Sequence, residues 1–382
     1  MSTPAPSLNP RARLLVSRHA GEIVAVTVTA PVRGRPLRVT PVRRDREPAV
    51  VDILTRLASR AGVEADLDPA TWARLVEIGL LVPPEAVARP VRFVCSPLDP
   101  PHDLVPARAR RAARPPIERL HPAPSLRFED VAPVPLAGDR AWARVEHANT
   151  PLPSWLSFSA AERDLLRDLV PGSLDPEHAA ALALAGVLVD PAADARRRAA
   201  RDVALADAGE RLRRDRYAVI RGLVHPVQVA ALRRYYRELV AEGHVALGDE
   251  QVPLRYRAHN EPLARRLHTE LAGLVGTLAG EAVKPSYVYF ASYLAGAVLE
   301  PHRDRAQCEL SISLQIDYAP EPEGDTPWPL LVEGRAITLG LGDALVYRGR
   351  ELTHAREALP EGHASASMFF HYVPEGFAGS LD

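Results

Sequence analysis

Three side chains in the C-terminal half have the types and the spacing of a metal centre. His302 and Asp304 are separated by one residue, and His354 follows 52 residues after His302. Two imidazoles and one carboxylate can occupy one face of an Fe(II) ion and leave three coordination positions open. Residues two apart on a strand point to the same side, so His302 and Asp304 can face one site. The alternative is that the two histidines are ordinary polar residues on a β-sandwich.

The segments around these residues alternate apolar or aromatic residues with small or polar ones, which is typical of half-buried strands. Five strands are predicted at 286–294, 310–318, 336–339, 343–347 and 365–373. Gly and Pro turns between such short strands indicate an antiparallel double-stranded β-helix, or jelly roll. A distant strand of this fold would bring the second histidine back to the first two residues.

Residues 211–373 resemble the iron(II)/2-oxoglutarate-dependent dioxygenases, in the prolyl-hydroxylase-like and phytanoyl-hydroxylase-like branch. A predicted strand at 217–223 and a predicted helix at 227–242 open this stretch, as is typical of the family. The resemblance implies that the two histidines and the aspartate bind Fe(II). It also implies that 2-oxoglutarate chelates the metal and that O2 is the cosubstrate.

In one respect the sequence departs from that family. Most of its members carry an Arg or Lys about ten residues after the second histidine, which pairs with the distal carboxylate of 2-oxoglutarate. Here the corresponding segment, 361–365 (EGHAS), contains neither. A buried carboxylate still needs hydrogen-bond donors. We expect Arg350 or Arg356 to pair with it, unless both arginines lie in a solvated loop. Further candidate donors are Tyr293, Tyr318 and His363.

Two other groups of residues are candidate substrate contacts. Four polar residues that directly precede a helix predicted at 263–279 would lie over the mouth of the barrel: Arg255, Arg257, His259 and Asn260. Otherwise they serve only as a helix cap and as surface charge. Trp328 lies in a long acidic loop at 319–329, where it is either a substrate platform or a clamp against the barrel rim.

The N-terminal half contains an internal repeat. Residues 67–84 align without gaps on 174–191, and nine of the eighteen positions are identical. The shared positions predict a helix that begins at an Asp-Pro N-cap and ends at a glycine. These positions are Asp68, Asp175, Gly79 and Gly186. Strands are predicted before the helices, at 22–29 and 37–40 in the first copy and at 127–134 and 141–146 in the second.

Strands, two helices and an extended segment are the layout of a winged-helix-like domain, and the copies resemble the PqqD-like domains that bind leader peptides. The alternative is a duplicated structural or dimerisation domain, because no cluster of Cys, His or carboxylates recurs. The predicted fold class is α+β. Its predicted parts are winged-helix-like α/β repeats at 1–97 and 125–200, a Pro/Arg-rich linker at 98–124, and the double-stranded β-helix (jelly roll) at 205–382. Leader-peptide binding and a homodimer are the partners predicted for the repeats.

Composition limits the classes of function. The 382 residues carry a net charge of −1, which gives no general attraction to nucleic acid or to an anionic membrane. Basic stretches in the linker keep DNA binding as a disfavoured alternative. Cys95 and Cys308 are too few for a disulfide framework, and no signal core or bilayer-spanning stretch is evident. We expect a cytoplasmic protein, and the excess of Arg over Lys is typical of a GC-rich bacterial coding sequence.

The resemblance implies a hydroxylase that acts on a C–H bond of an amino acid, a peptide or a peptide-derived natural product. The same cofactors would also serve a desaturase or a cyclase. A non-catalytic or regulatory binding protein with a degenerate barrel is the alternative from another class, because the basic residue after His354 is missing.

Overall fold

The structure is a computed structural model. It describes residues 7–8, 12–19, 22–29, 38–58, 68–82, 91–98, 100–112, 116–129, 140–167 and 174–381. The chain divides into two compact units, which are Met1–Val91 with Arg237–Val245, and Arg92–Tyr236 with Ala246–Asp382. None of the helices within the described residues is long and apolar enough to cross a membrane.

The first unit contains the first copy of the repeat. Its elements are β1 (Ser7–Leu8), β2 (Ala12–His19), β3 (Glu22–Thr29), β4 (Arg38–Arg43), α1 (Pro48–Ala58), α2 (Pro69–Glu77) and β5 (Leu81–Val82). Strands β2, β3 and β4 form one antiparallel sheet, and β5 pairs with β1. The predicted strand at 22–29 is observed. The one predicted at 37–40 is observed from residue 38 onward, and residue 37 lies outside the described residues.

The second unit begins with the second copy. Its elements are α3 (Ala107–Arg110), β6 (His121–Pro122), β7 (Arg127–Glu129), β8 (Ala141–Val145), β9 (Ser154–Phe158), α4 (Ala160–Arg167), α5 (Pro176–Leu184) and β10 (Leu188–Val189), with short 3-10 helices at His102–Leu104 and Ile117–Arg119. Strands β7, β8 and β9 form a sheet, and β10 pairs with β6. Of the predicted strand 127–134, residues 130–134 lie outside the described part of the chain. The order of elements matches that of the first copy, which supports a duplicated α/β unit but does not by itself define a winged helix.

The predicted helix signals of the repeat are observed in both copies. The Oδ1 atoms of Asp68 and Asp175 each accept hydrogen bonds from the second and third amide groups of their helix, at 2.9–3.1 Å. Gly79 and Gly186 have φ angles of 77° and 67°. Only glycine adopts this left-handed backbone without a steric cost, so these residues end their helices.

A long helix leads into the C-terminal part. The elements there are α6 (Pro191–Asp215), β11 (Tyr217–Ile220), α7 (Pro226–Ala241), β12 (Ala246–Leu247), β13 (Arg255–His259) and α8 (Pro262–Ala279). The domain boundary predicted at residue 205 falls inside α6, which is continuous over 25 residues. The described part of the predicted linker lies against the barrel, because Arg108 binds the buried carboxylate of Asp343 at 3.0 Å.

Eight further strands form the barrel. They are β14 (Val283–Leu294), β15 (Leu299–His302), β16 (Leu310–Ala319), β17 (Leu330–Val332), β18 (Arg335–Ile337), β19 (Ala344–Tyr347), β20 (His354–Arg356) and β21 (Ala364–Pro374). One sheet has the order β11-β19-β16-β21-β14-β13-β12, and the other has the order β15-β20-β17-β18. Leu330 and Val332 of the smaller sheet pack with Leu345 and Tyr347 of the larger one. Two antiparallel sheets with this strand order are consistent with the predicted jelly roll.

Candidate functional site

The three residues predicted to bind a metal converge in the structure. His302 ends β15, Asp304 lies two residues beyond it, and His354 begins β20, the strand paired with β15. The Oδ1 atom of Asp304 is 3.8 Å from His302 Nε2 and 3.5 Å from His354 Nε2. All three candidate ligand atoms lie within 4.8 Å of one another. Asp304 lies beyond the end of β15. The predicted alternation along one strand therefore accounts for the position of His302 but not for that of Asp304.

Backbone carbonyl groups orient both imidazole rings. His302 Nδ1 lies 2.8 Å from Glu300 O, and His354 Nδ1 lies 3.1 Å from Leu352 O. A carbonyl oxygen can only accept, so each Nδ1 carries the proton and each Nε2 has a lone pair free to bind a metal. Burial, followed by the charge of His354, lowers the pKa of His302, which favours its neutral form.

The carboxylate of Asp304 is held by its neighbours. Ser311 Oγ donates to Asp304 Oδ2 at 3.0 Å, and Ser311 Oγ also lies 2.9 Å from His371 Nδ1. A Cβ on Gly349 would overlap Asp304 Oδ2 and lie 2.8 Å from the carboxyl carbon. Burial acts to raise the pKa of Asp304, but the adjacent imidazoles of His354 and His371 and the Ser311 hydroxyl hold it below its usual value. Residue 349 must therefore lack a side chain for Asp304 to keep this position.

Arg356 lies on β20 two residues after His354, and so on the same face of the strand. Its side chain is buried, its Nη1 donates to Trp328 O at 2.8 Å, and its guanidinium lies 4.4 Å above the Trp328 ring. Its Nε is buried and has no hydrogen-bond partner among the described residues. Burial lowers the pKa of Arg356, against the opposing influence of Tyr293, Tyr347 and Tyr318. Within the described chain, no carboxylate forms an ion pair with this guanidinium.

The other predicted donors for the cosubstrate lie in different environments. Arg350 is half-exposed and forms an ion pair with Glu309 at 2.8 Å, which places it outside the buried cluster around Arg356. Tyr293 and Tyr318 are buried on β14 and β16, and both are in register with Ser365 of β21. The Tyr318 hydroxyl lies 2.8 Å from His363 Nδ1. Ser365, the last residue of the segment 361–365 in which the sequence resemblance led us to look for a basic residue, thus lies between these two tyrosines.

Trp328 is 3% exposed. Its indole Nε1 donates to Glu357 O at 2.8 Å, and its ring lies 5.1 Å from that of Tyr293. With one face under Arg356 and its donor bound, Trp328 has the environment of a clamp. Of the two roles predicted for Trp328, this geometry favours the clamp over the substrate contact, because a substrate platform needs an accessible ring face.

The four polar residues predicted at the barrel mouth separate into two groups. Arg255 is buried and bound to Asp249 and to the Tyr293 hydroxyl, whereas Arg257 is partly exposed and His259 is exposed. Asn260 has a φ of 50°, and its Oδ1 accepts from the amide of Val288 at 3.1 Å. Asn260 thus has the local structural role of joining the segment before α8 to β14.

Several residues that shape the site were not predicted. Asp249 accepts from Arg255 and from Tyr289. Ser311 donates to Asp304 and is itself hydrogen bonded to His371. Ser311 and His371 follow the period-two pattern of their strands, which was a usable signal, whereas Asp249 lies in a connecting loop with no comparable pattern. Asp304, Cys308 and His371 also form a second group of potential metal ligands. Two residues of this second group, Asp304 and His371, are already hydrogen bonded to Ser311.

A separate cavity of about 400 Å³ opens beside α6 and β11. Its lining includes Pro151, Leu205, Val219 and four arginines, of which Arg211 is paired with Asp207. None of the candidate metal ligands lines it. The cavity is therefore distinct from the metal centre.

Comparisons with known proteins give distant structural likeness only. The epimerase SnoN from nogalamycin biosynthesis is 18% identical, with 46% of this chain and 88% of that chain covered and a TM-score of 0.38. AviO1 from Streptomyces viridochromogenes Tue57 is 21% identical, with 46% and 97% covered and a TM-score of 0.37. A prolyl-4-hydroxylase from Pseudomonas putida is 18% identical, with 45% and 100% covered and a TM-score of 0.37. No protein-family model and no curated protein sequence matches the chain, so these comparisons do not assign it to a family.

Proposed function

We propose that the chain is an Fe(II)- and 2-oxoglutarate-dependent oxygenase whose metal is bound by His302, Asp304 and His354. The observation that carries this proposal is the convergence of two Nε2 atoms and one carboxylate oxygen within 4.8 Å. Both imidazoles have Nδ1 bound to a carbonyl, which leaves Nε2 available. Two histidines and one carboxylate are the donor set that suits non-haem Fe(II) with open positions. The residues present therefore fit the metal.

Arg356 fits the distal carboxylate of 2-oxoglutarate. An unpaired guanidinium in a buried site is costly, and a bound carboxylate would supply both the counter-charge and an acceptor for the unpaired Nε. The hydroxyls of Tyr293 and Tyr318 lie close enough to influence Arg356 and would be the further donors. In this proposal Arg356 replaces the basic residue that the family carries later in its sequence, and Arg350 has no part in the site.

When bound, the metal and 2-oxoglutarate would supply the oxidation of a C–H bond by O2, with one oxygen atom entering succinate and the other entering the hydroxylated product, and with release of CO2. The protein orients the metal through the carbonyl groups of Glu300 and Leu352 and positions Asp304 through Ser311. The primary substrate in this proposal is an amino acid, a peptide or a peptide-derived natural product. The competing function is a non-catalytic binding protein.

The test is an anaerobic titration of the protein with Fe(II) and 2-oxoglutarate, followed by the visible charge-transfer band of the metal chelate. We expect the band in the unaltered protein and its loss in His354→Ala, because a three-ligand site has no spare ligand. The matched control is His178→Ala, which removes an exposed histidine of α5. Formation of succinate from 2-oxoglutarate in air then separates catalysis from binding. If the unaltered protein forms no chelate, the non-catalytic function replaces this proposal.

A further inference from the structure

The inner face of the larger sheet carries an arginine whose guanidinium group is only partly paired within the fold. Arg257 of β13 is in register with Ala291 of β14, and its neighbours on the same face are Arg255 and His259. Directly opposite residues of an antiparallel pair share one face, so Arg257 lies beside a small side chain. The space left by Ala291 is bounded on one side by Tyr289, which is in register with Phe369 of β21.

Arg257 is anchored at one end only. Its Nε donates to Gly248 O at 2.8 Å, and the side chain remains 37% exposed. Its two terminal nitrogens, Nη1 and Nη2, have no hydrogen-bond partner among the described residues. An arginine held through Nε presents the other two nitrogens as a fork, which matches the two oxygens of a carboxylate.

The charges around Arg257 leave one positive charge over. Asp249 Oδ2 lies 2.7 Å from Arg255 Nη2 and 3.9 Å from Arg257 Nε, so one carboxylate faces two guanidinium groups. Asp249 also accepts from the Tyr289 hydroxyl at 2.5 Å. Burial acts to raise the pKa of Asp249, but the hydrogen bonds from Tyr289 and the loop hold it below its usual value. With Asp249 ionised, the three charged groups sum to +1, which suits a monoanion better than a phosphate dianion.

Aromatic surface lies next to this charge. The hydroxyls of Tyr289 and Tyr287 are bound, to Asp249 and to Cys308 Sγ at 3.2 Å. Both rings remain partly exposed, as does Phe369. The Arg255 guanidinium lies 5.1 Å from the centre of the Tyr289 ring, and His259 and His371 lie 5.1 Å and 4.6 Å from that of Tyr287. The ring surface that remains exposed, on Tyr289 and Phe369 in particular, is available to a flat or apolar group. The region also borders the metal centre, since the Cys308 Sγ that Tyr287 contacts lies within 4.8 Å of a carboxylate oxygen of Asp304.

We propose that Arg257 binds the carboxylate of the primary substrate, and that the flat or apolar remainder of that substrate lies on Tyr289 and Phe369. Arg257 is thereby the residue that selects organic acids over neutral compounds of the same shape. This inference rests on the proposed function, because it takes the metal centre as the place where that substrate reacts. It assigns Arg356 and Arg257 to two different carboxylates, one belonging to 2-oxoglutarate and one to the substrate.

The test uses 3-phenylpropanoate and its amide as probes, titrated calorimetrically into protein loaded with Fe(II) and 2-oxoglutarate without oxygen. We expect the acid to bind at least about tenfold more tightly than the amide, since hydrogen bonds to a charged group contribute about one to two powers of ten in affinity. Arg257→Gln should remove that preference. Arg257→Lys should keep part of it, because the charge remains while the fork is lost. Arg335→Gln, which removes an exposed arginine of β18, is the matched control and should leave the preference intact.

Three results would overturn the inference. These are equal binding of acid and amide, an unchanged preference in Arg257→Gln, and no binding of the acid at concentrations on the order of 10 mM. Competition between the acid and 2-oxoglutarate would also count against it, because the acid would then occupy Arg356. The chelate band is recorded on the same samples. Its absence contradicts the proposed function, whereas its presence without a preference for the acid contradicts this inference alone.

Discussion

In the duplicated region, the polar side chains at the helix N-termini form hydrogen bonds with the backbone of the same helix. In the barrel, however, several polar side chains have donors or acceptors that form no hydrogen bond with another described residue. Asp68 and Asp175 each accept two amide hydrogen bonds from the helix that they begin. By contrast, His302 and His354 have Nδ1 bound and Nε2 free, and Arg356 has a buried Nε without a partner among the described residues. Both regions consist of strands and helices, so the difference lies in the side chains and not in the type of secondary structure.

The difference separates structural from chemical residues. Polar groups that are satisfied within an element stabilise it, and nothing further is needed to explain them. Buried polar groups that remain unsatisfied require an explanation, and a ligand that completes them is one. The criterion applies to clusters of such groups and not to single atoms, because Arg140 Nε and Ser157 Oγ of the second repeat are also buried without a partner among the described residues. On the proposed function, the barrel carries the chemistry and the repeats contribute to folding or to recognition. Variants in the two regions should therefore change different measurable properties.

The largest expected effect comes from Gly349, which has no metal-binding side chain and whose carbonyl accepts the Asp304 amide at 2.9 Å. Gly349→Ala places a Cβ against the carboxylate of Asp304, so Asp304 must move from its position beside both histidines. We expect the affinity for Fe(II) to fall by roughly two orders of magnitude, comparable to the loss of a residue that supports a metal ligand. Isothermal titration with Fe(II) under nitrogen measures this.

The control is Gly376→Ala, because a Cβ at that position meets nothing within 4 Å. Unchanged metal affinity in Gly349→Ala would show that Asp304 is not fixed by this contact, and the assignment of Asp304 as a ligand would lose its structural support. Circular dichroism of both variants distinguishes a local displacement from general unfolding.

The second effect compares two arginines six positions apart. Arg356→Gln should raise the dissociation constant of 2-oxoglutarate by roughly 10- to 100-fold, because it removes hydrogen bonds to a charged group. Arg350→Gln should leave it unchanged, since Arg350 is paired with Glu309 at an exposed position. Titration of the chelate band with 2-oxoglutarate at saturating Fe(II) measures both. A larger effect in Arg350→Gln than in Arg356→Gln would reverse the assignment.

The sequence indicated the three candidate metal ligands by their residue types and spacing, and it left the cosubstrate anchor open. Strands β15 and β20, which carry His302 and His354, are four and three residues long and are not among the predicted strands, because so short a segment shows no clear alternation. Arg350 and Arg356 could not be separated, because burial depends on which residues pack above them. Arg356 shares the strand face of His354, whereas Arg350 lies in the turn before that strand. The two arginines could be distinguished only once the start of β20 was known.

Other elements had no readable signal. Strand β9 (Ser154–Phe158) is buried at all five positions, so it lacks the alternation that marks a half-exposed strand. The hydrogen-bond partners of Asp249 lie in β13 and β14. No sequence motif connects Asp249 to these strands, so its role could not be predicted. By contrast, the helix boundaries of the repeat were predictable because Asp-Pro and Gly act through local backbone geometry.

The smallest effect at neutral pH should come from a histidine pair beside the second repeat. His147 and His225 stack with ring centroids 3.9 Å apart, and both are buried. Burial lowers the pKa of His225 to about 4, and burial together with the charges of His225 and Arg198 holds the pKa of His147 well below its usual value. The folded state holds both rings neutral. Above the unfolded-state pKa of about 6.5 the rings are neutral in the unfolded state too, so the pair costs no stability there. Stability should then fall as the pH decreases from 6.5 towards 4.

His225→Gln tests this by removing one titrating ring. The melting temperature of the unaltered protein should decline over that pH window more steeply than that of the variant, with a contribution from His225 of up to roughly 3 kcal/mol at the acid end. His121→Gln, at an exposed position of β6, is the control and should follow the unaltered protein. The affinities for Fe(II) and 2-oxoglutarate at pH 7.5 should be the same in all three proteins. If His225→Gln weakened either affinity at that pH, the histidine pair would be coupled to the metal centre, and the separation between a structural repeat and a chemical barrel would fail.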